Sequence, residues 1–260
     1  MIGKIEHFNT FGDGWVPPEN LDKEAINLLP LFQFSGKISL VRTEEEQARA
    51  LRHLFQADAV GVDTETRPSF RKGVFHKPSL LQISTSDETF IFLLRSTGIS
   101  GRLAEFFGDP CIIKAGVAIS DDIRLLAKLR SFTAQGLVDV AKIARRHNIC
   151  QQGLRGLVAY FFGVRISKGE QCSNWGRTEL TDKQVVYAAT DAWMSLAIFR
   201  YMERHGLLYS LKCMEPATLK AGSPRRPPKK ISRSTPTPPR NPAHKAAAPS
   251  TKRTIRPLGM

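Results

Sequence analysis

The stretch VGVDTETRPSF, residues 60–70, begins as an apolar β-strand and then places two carboxylates in that strand, Asp63 and Glu65. Side chains two residues apart on a strand point to the same face of the sheet, so both charges are expected to lie close together. Like charges at that distance repel each other, and burial raises the energetic cost further. The strand end therefore predicts a cationic partner, which is either a neighbouring basic side chain or a divalent metal ion.

Basic side chains are available just downstream, where an ion pair is the simpler explanation. Two adjacent acids at the end of a strand are, however, more economically neutralised by divalent cations, and Mg²⁺ prefers a few carboxylates together with water and phosphate oxygens. A DxE pair alone is weak evidence for such a site, so further acids must be found that reach the same place. The basic candidates near the two acids are Arg67, Arg71 and Lys72.

The bulk composition favours one sizeable domain with appendages. The chain has 260 residues, 42% of them apolar, and contains no apolar run of the roughly 18–20 residues that a bilayer requires. Its N-terminus lacks an apolar leader, and its four cysteines form no CxxC pair, so we expect reduced thiols, neither zinc nor disulfides, and a cytoplasmic location without membrane association.

The net charge of +14 is concentrated at the C-terminal end. Residues 216–260 hold 11 of the 38 Lys and Arg residues, none of the 24 acids and 10 of the 16 prolines. Such a segment cannot build a core, and residues 213–260 are predicted to be a disordered, basic, Pro-rich tail. The tail could attract phosphates, recruit a partner with an aromatic groove, or simply aid solubility.

Periodicity predicts an α/β domain with a mixed central sheet and flanking helices at residues 37–212, preceded by a lead-in over residues 1–36. Three strands in a meander are followed by alternating helices and strands, and no GxGxxG motif supports a dinucleotide-binding fold. The predicted strands cover residues 37–43, 59–65, 79–85, 89–94 and 111–119, with a short one after residue 136. The predicted helices lie within 17–32, 44–56, 99–108, 120–130, 136–147, 153–163 and 181–204.

Helix starts are marked by capping residues. Thr43 with Glu46, and Thr181 with Gln184, match the capping box, and Ser120 is expected to cap the helix that follows the strand at 111–119.

Two further acids are candidates for the same site. Asp122 shares a helical face with apolar residues three, four and seven positions later, whereas Asp121 lies on a more solvated stripe, so Asp122 is expected to point inward. On the last helix, Tyr187 and Asp191 are four residues apart and therefore stacked on one face. Small residues around them allow that helix to lie close to a neighbour, although, for this pair taken alone, an ordinary amphipathic helix with an exposed Asp is the favoured interpretation.

Taken together, the motifs DTE (63–65), GVAISDD (116–122) and YAATD (187–191) resemble, in order and spacing, the three motifs of the DEDDy-type 3′–5′ exonucleases. The resemblance extends over roughly residues 25–205 to the exonuclease domains of ribonuclease D and Werner-type helicases. It is strongest to bacterial stand-alone 3′–5′ exonuclease domain proteins, through stretches such as HKPSLLQIS (76–84), RISKGEQCSNW (165–175) and LTDKQVVYAATDAW (180–193). It implies an RNase H-like fold, and hydrolysis of nucleic acid from a single-stranded 3′ end, RNA or DNA, to nucleoside 5′-monophosphates.

The resemblance also implies a two-metal-ion mechanism with Mg²⁺ or Mn²⁺. Asp63 is expected to bridge both ions, Glu65 and Asp191 to complete one site, and Asp122 to act on the other largely through water. Tyr187 is expected to orient the attacking water. The alternative is a non-catalytic nucleic-acid-binding module of the same fold, which the four intact acids disfavour.

Substrate contacts are less defined. Trp175 and Gln82 are expected to be structural, and the loop around residues 67–77 could either contact nucleic acid or be simply solvated. The candidate nucleic-acid contacts are Thr64, Arg67, Arg71, Lys72, Lys77, Arg165 and Lys168.

Overall fold

A computed structural model describes residues 11–19, 21–69 and 76–208. Six strands lie in this part of the chain: β1 (Lys37–Val41), β2 (Ala59–Thr66), β3 (Pro78–Ser84), β4 (Glu88–Leu93), β5 (Ile113–Gly116) and β6 (Leu137–Asp139). The helices in the same ranges are α1 (Lys23–Leu28), α2 (Glu44–Leu54), α3 (Leu94–Thr97), α4 (Gly101–Gly108), α5 (Ile119–Leu126), α6 (Val140–Arg146), α7 (Leu154–Phe162) and α8 (Asp182–Arg204).

The strands form one mixed sheet in the order β1-β4-β3-β2-β5-β6. The meander of β2, β3 and β4 is antiparallel, whereas β1 pairs with β4, and β5 with β2 and β6, in parallel. This is the predicted RNase H-like arrangement of a mixed sheet with flanking helices. The acidic strand β2 is central, so its side chains can be reached from helices on either face.

An apolar core covers each face of the sheet. On one face, the α8 residues Trp193 and Met194 pack with residues of α6 and α7, while on the other face Leu51 of α2 and Phe106 of α4 are fully buried. Trp175, expected to be structural, is also buried in the first core, with 1% of its surface exposed. The site-bearing strand is thus fixed between two packed layers.

The lead-in takes part in this packing. Asp22 caps α1, and Leu21 and Ile26 pack on Ala159 of α7. The backbone N–H of Phe34, itself buried, donates to the Thr190 hydroxyl of α8 over 3.0 Å. The segment before β1 is therefore attached to the helix that carries Asp191.

Most of the predicted elements are confirmed, including both capping boxes. The predicted strand at 111–119 is too long, because only Ile113–Gly116 pairs in the sheet. The short helix α3 was not predicted. Among the described residues, no helix is both long and apolar enough to cross a membrane. The predicted tail, residues 213–260, lies outside the described residues.

Candidate metal-dependent active site

Three carboxylates meet at the end of β2. Asp63 and Glu65 project from the strand, Asp191 projects from α8, and one carboxylate oxygen of each lies within 4.8 Å of the others. Asp191 is buried, with 7% of its surface exposed. The convergence brings together residues more than 120 positions apart in the sequence.

A close contact between helix and strand produces this convergence. A Cβ atom placed on Gly61 would lie 1.9 Å from the carbonyl oxygen of Ala192, so only glycine allows α8 to cross β2 at this distance. Because side chains alternate along a strand, Gly61, Asp63 and Glu65 share the face that α8 covers. Ala188, Ala189 and Ala192 are fully buried, which confirms that small residues let α8 approach a neighbour closely.

Among the described residues, no basic side chain forms an ion pair with the acids of the cluster, and the pKa values of these acids are raised. Burial, reinforced by the nearby charges of Asp191 and Asp122, raises the pKa of Asp63 well above its ordinary value. Burial and the charge of Asp63 raise the pKa of Glu65 to about 10, and burial raises the pKa of Asp191 to about 7. With no cation bound, these groups therefore retain protons that free carboxylic acids would lose.

Asp122 points inward but is not a member of the three-carboxylate group. Its carboxylate accepts a hydrogen bond of 2.6 Å from the Thr64 hydroxyl, on the strand that carries the two acids. Burial raises the pKa of Asp122 to about 6, although the Thr64 hydrogen bond opposes this rise. Asp121 instead forms an exposed ion pair with Arg124, which confirms the predicted difference between the two neighbours.

The predicted cap of α5 is wrong. Ala118 occupies the N-cap position with φ of 55°, a left-handed conformation, and no side chain caps the helix. Asp139, at the end of β6, accepts a hydrogen bond from the Ala118 backbone N–H over 3.3 Å. Ser120 does not cap α5 because the helix already begins at Ile119, which places Ser120 within its first turn.

Tyr187 lies one helical turn before Asp191, and its hydroxyl is close enough to the Asp191 carboxylate for the two groups to influence each other's pKa. Burial and the charges of Asp191 and Glu65 raise the pKa of the Tyr187 hydroxyl far above its ordinary value. The Trp175 ring contacts the Tyr187 ring at a centroid distance of 5.8 Å. The hydroxyl is therefore positioned as a hydrogen-bond donor rather than as a base.

The donor set suits a divalent metal ion. Carboxylate oxygens are the ligands that Mg²⁺ and Mn²⁺ prefer. In addition, Oδ1 of Asp191 is buried and has no hydrogen-bond partner among the described residues. A buried, unpartnered carboxylate oxygen within 4.8 Å of two other acids is the arrangement that a bound cation would complete.

A cleft of about 330 Å³ opens beside Tyr187 and Asp191. Phe32 and Gln33 of the lead-in form part of its wall, and Lys183 of the first turn of α8 also lines it. These residues were not predicted from the sequence, because no local pattern links residues 32–33 to α8. The structure reveals the connection through the buried hydrogen bond between Phe34 and Thr190 and through the stacking of Phe32 on Trp193 at a centroid distance of 5.4 Å.

The predicted nucleic-acid contacts are found in different settings. The Thr64 hydroxyl is engaged by Asp122, and the half-buried Arg165 donates from Nε to the Leu29 carbonyl over 3.0 Å. The aliphatic part of Arg67 packs against Gly176 in the loop before α8. Their role in binding nucleic acid stays a prediction. Lys77 and Lys168 are exposed, whereas Arg71 and Lys72 lie outside the described residues.

A family model described as 3′–5′ exonuclease matches residues 38–206, well over half of the chain. The chain belongs to the 3′–5′ exonuclease family. Members of this family depend on divalent metal ions, and this chain has an acidic cluster of Asp63, Glu65 and Asp191 that could hold one. The resemblance that the three motifs indicated is thereby confirmed.

Individual relatives agree. The bifunctional 3′–5′ exonuclease/ATP-dependent helicase WRN of Mus musculus is 28% identical over 189 residues, which cover 68% of this chain and 13% of that protein. The Aedes aegypti Nibbler EXO domain has a TM-score of 0.62 at 22% identity, covering 70% of this chain and 94% of that one. Escherichia coli RNase D, an exoribonuclease involved in structured RNA processing, has a TM-score of 0.59 at 21% identity, covering 68% and 49%. These structures share the fold, and the chain spans only 13–48% of the first three curated relatives that it matches.

Proposed function

We propose that this protein removes nucleotides from the 3′ end of single-stranded nucleic acid, RNA or DNA, and releases nucleoside 5′-monophosphates. The observation that carries the proposal is the convergence of Asp63, Glu65 and Asp191, with Asp122 held nearby by Thr64. Family membership supports the reaction class. The adjacent cleft would admit a terminal nucleotide beside Asp191.

The proposed cofactors are two divalent ions, Mg²⁺ or Mn²⁺. Asp63, Glu65 and Asp191 would hold one of them, and Asp63 with Asp122 would serve the second. When bound, such ions supply Lewis acidity at phosphate oxygens and lower the pKa of a coordinated water.

The side chains of the site would divide the remaining work. The Tyr187 hydroxyl, protonated at all physiological pH values, would donate a hydrogen bond that orients the attacking water. Thr64 would keep the Asp122 carboxylate turned toward the site. Lys183 would neutralise a phosphate of the strand lying in the cleft, where Phe32 offers an aromatic surface to a base.

The test is a denaturing-gel time course on 5′-labelled single-stranded RNA and DNA of identical sequence, with Mg²⁺, Mn²⁺ or EDTA. The variants are Asp63→Asn and, as a matched control, Asp121→Asn, whose side chain is exposed and paired with Arg124. We expect a ladder that shortens from the 3′ end, requires metal, is lost in Asp63→Asn and persists in Asp121→Asn. The faster substrate would identify the preferred nucleic acid.

The absence of nuclease activity in the wild type would favour the alternative function. If neither strand shortens but both are retarded on a native gel, the non-catalytic binding module replaces the exonuclease proposal. The cytoplasmic location stays a prediction that cell fractionation would test.

A further inference from the structure

Gln82 of β3 is a buried polar residue that the fold does not explain. None of its surface is exposed, and neither its amide nitrogen nor its amide oxygen has a hydrogen-bond partner among the described residues. An unsatisfied buried amide destabilises the folded state, and a leucine at the same position would avoid that cost. The side chain therefore needs a partner that completes it in the functional state.

The strand register indicates which partner that is. Gln82 lies directly opposite Asp63 on β2 and opposite Ile91 on β4. Cross-strand partners project from the same face, so Gln82 shares with Asp63 the face that α8 covers. Ile91 is buried and apolar and offers no hydrogen bond. Asp63 is thus the polar side chain that flanks Gln82 across the sheet.

We propose that Gln82 is a positioning residue for Asp63, an inference that rests on the proposed metal-dependent function. An ionised carboxylate is only an acceptor, so the oxygen lone pairs that do not bind metal need donors. The Gln82 amide N–H groups supply them, directly or through one buried water, and fix the orientation in which Asp63 binds the cation. Hydrogen-bond partners of metal ligands typically affect metal affinity by about 10–100-fold.

The experiment measures Mn²⁺ binding to the full chain by calorimetry without nucleic acid, for the wild type and for Gln82→Met, which preserves side-chain length and removes the amide. We expect the Kd for Mn²⁺ to rise about 10–100-fold. The melting temperature in EDTA should be unchanged or higher, because an unpartnered amide is replaced by an apolar group. Gln82→Leu serves the same purpose if Gln82→Met does not fold.

The matched control is Gln47→Met. Gln47 is also a buried glutamine, with 2% of its surface exposed, but it lies on α2 and donates to the Gly98 carbonyl. This substitution removes a satisfied hydrogen bond far from the acids, so it should lower the melting temperature and leave the Kd for Mn²⁺ unchanged.

Nuclease kinetics add a second readout. If Gln82 acts through the metal ligand, the activity lost in Gln82→Met at limiting Mn²⁺ should recover at saturating Mn²⁺. A Kd within twofold of the wild type, or a loss of activity that saturating Mn²⁺ does not reverse, would overturn the inference while leaving the exonuclease proposal intact. If the wild type itself binds no Mn²⁺, the proposed function fails together with the inference.

Discussion

Replacing Asp191 with asparagine should stabilise the metal-free protein. The carboxylate is buried, one of its oxygens lacks a partner among the described residues, and its pKa is raised from 3.8 to about 7. Because each pKa unit corresponds to about 1.36 kcal/mol, keeping this group ionised at pH 8 disfavours the folded state by about 4 kcal/mol. Asparagine has nearly the same shape, carries no charge and keeps an amide oxygen that can accept a hydrogen bond.

The measured gain in the free energy of unfolding should be smaller than this value of about 4 kcal/mol. The charges of Asp191 and Asp63 affect each other, so the two titrations are interdependent and we expect a gain of about 1–2 kcal/mol. For a domain of this size, that corresponds to a melting temperature higher by roughly 2–8 °C. The assay is thermal unfolding followed by circular dichroism in EDTA at pH 8, with Asp121→Asn as the control that should stay within about 0.5 kcal/mol of the wild type.

The stabilisation of the metal-free protein by Asp191→Asn should depend on pH. Because the pKa of Asp191 is higher in the folded state than the ordinary 3.8, the folded wild type binds more protons than the unfolded chain between about pH 4 and pH 7. Wild-type stability in EDTA should therefore fall as the pH rises through that window, and the advantage of Asp191→Asn should be large at pH 8 and small at pH 5. Excess Mn²⁺ should reverse the order, since the wild type gains binding free energy that the variant lacks. An Asp191→Asn variant less stable than the wild type in EDTA at pH 8, or an equal gain at both pH values, would refute the electrostatic reasoning.

Three further substitutions test separate parts of the site. Tyr187→Phe should lower kcat by about 100-fold and leave the Kd for Mn²⁺ unchanged. An unaltered rate constant for hydrolysis in single-turnover assays would exclude the role of the hydroxyl in orienting water. Lys183→Ala should raise KM and reduce the slope of log KM against the logarithm of the salt concentration by about one. The control is Lys128→Ala, at another exposed lysine. Equal slopes for Lys183→Ala and the wild type would show that Lys183 does not contact the substrate. Ala118→Gly should raise the free energy of unfolding by about 0.5–1 kcal/mol, because glycine adopts the left-handed region without strain, and urea denaturation showing a loss would contradict the conformation of that turn.

The features predicted correctly from sequence are those determined over a few residues. The two capping boxes place the starts of α2 and α8 because each involves a side chain and a backbone group three residues apart. The DTE motif likewise reveals acids on one face of β2, since that depends only on strand alternation. The inward direction of Asp122 follows from helical spacing and is confirmed by its hydrogen bond to Thr64.

The features that were missed depend on distant partners. Ser120 is a good capping residue by type, but the reversal after β5 is made by Ala118 with an Asp139 contact 21 residues away. Phe32 and Lys183 line the same cleft because the segment that contains Phe32 is attached to α8. The attachment includes the hydrogen bond from Phe34 to Thr190, 156 positions away. Gln82 was expected to be structural, and its place opposite Asp63 follows from the pairing of β3 with β2, which no local pattern predicts.

The site and the fold impose opposite demands on the same crossing of α8 over β2. The contact between Gly61 and Ala192 brings the helix within van der Waals distance of the strand, which suits close packing. The same contact drives Asp191 toward Asp63 and Glu65, where ionising all three acids in a largely buried setting is unfavourable, so that they retain protons when no cation is bound. The surrounding core must supply enough apolar burial to maintain this arrangement until a cation neutralises it. Stability is therefore lowest where the proposed chemistry occurs, and metal binding at that point stabilises the fold as well as completing the site.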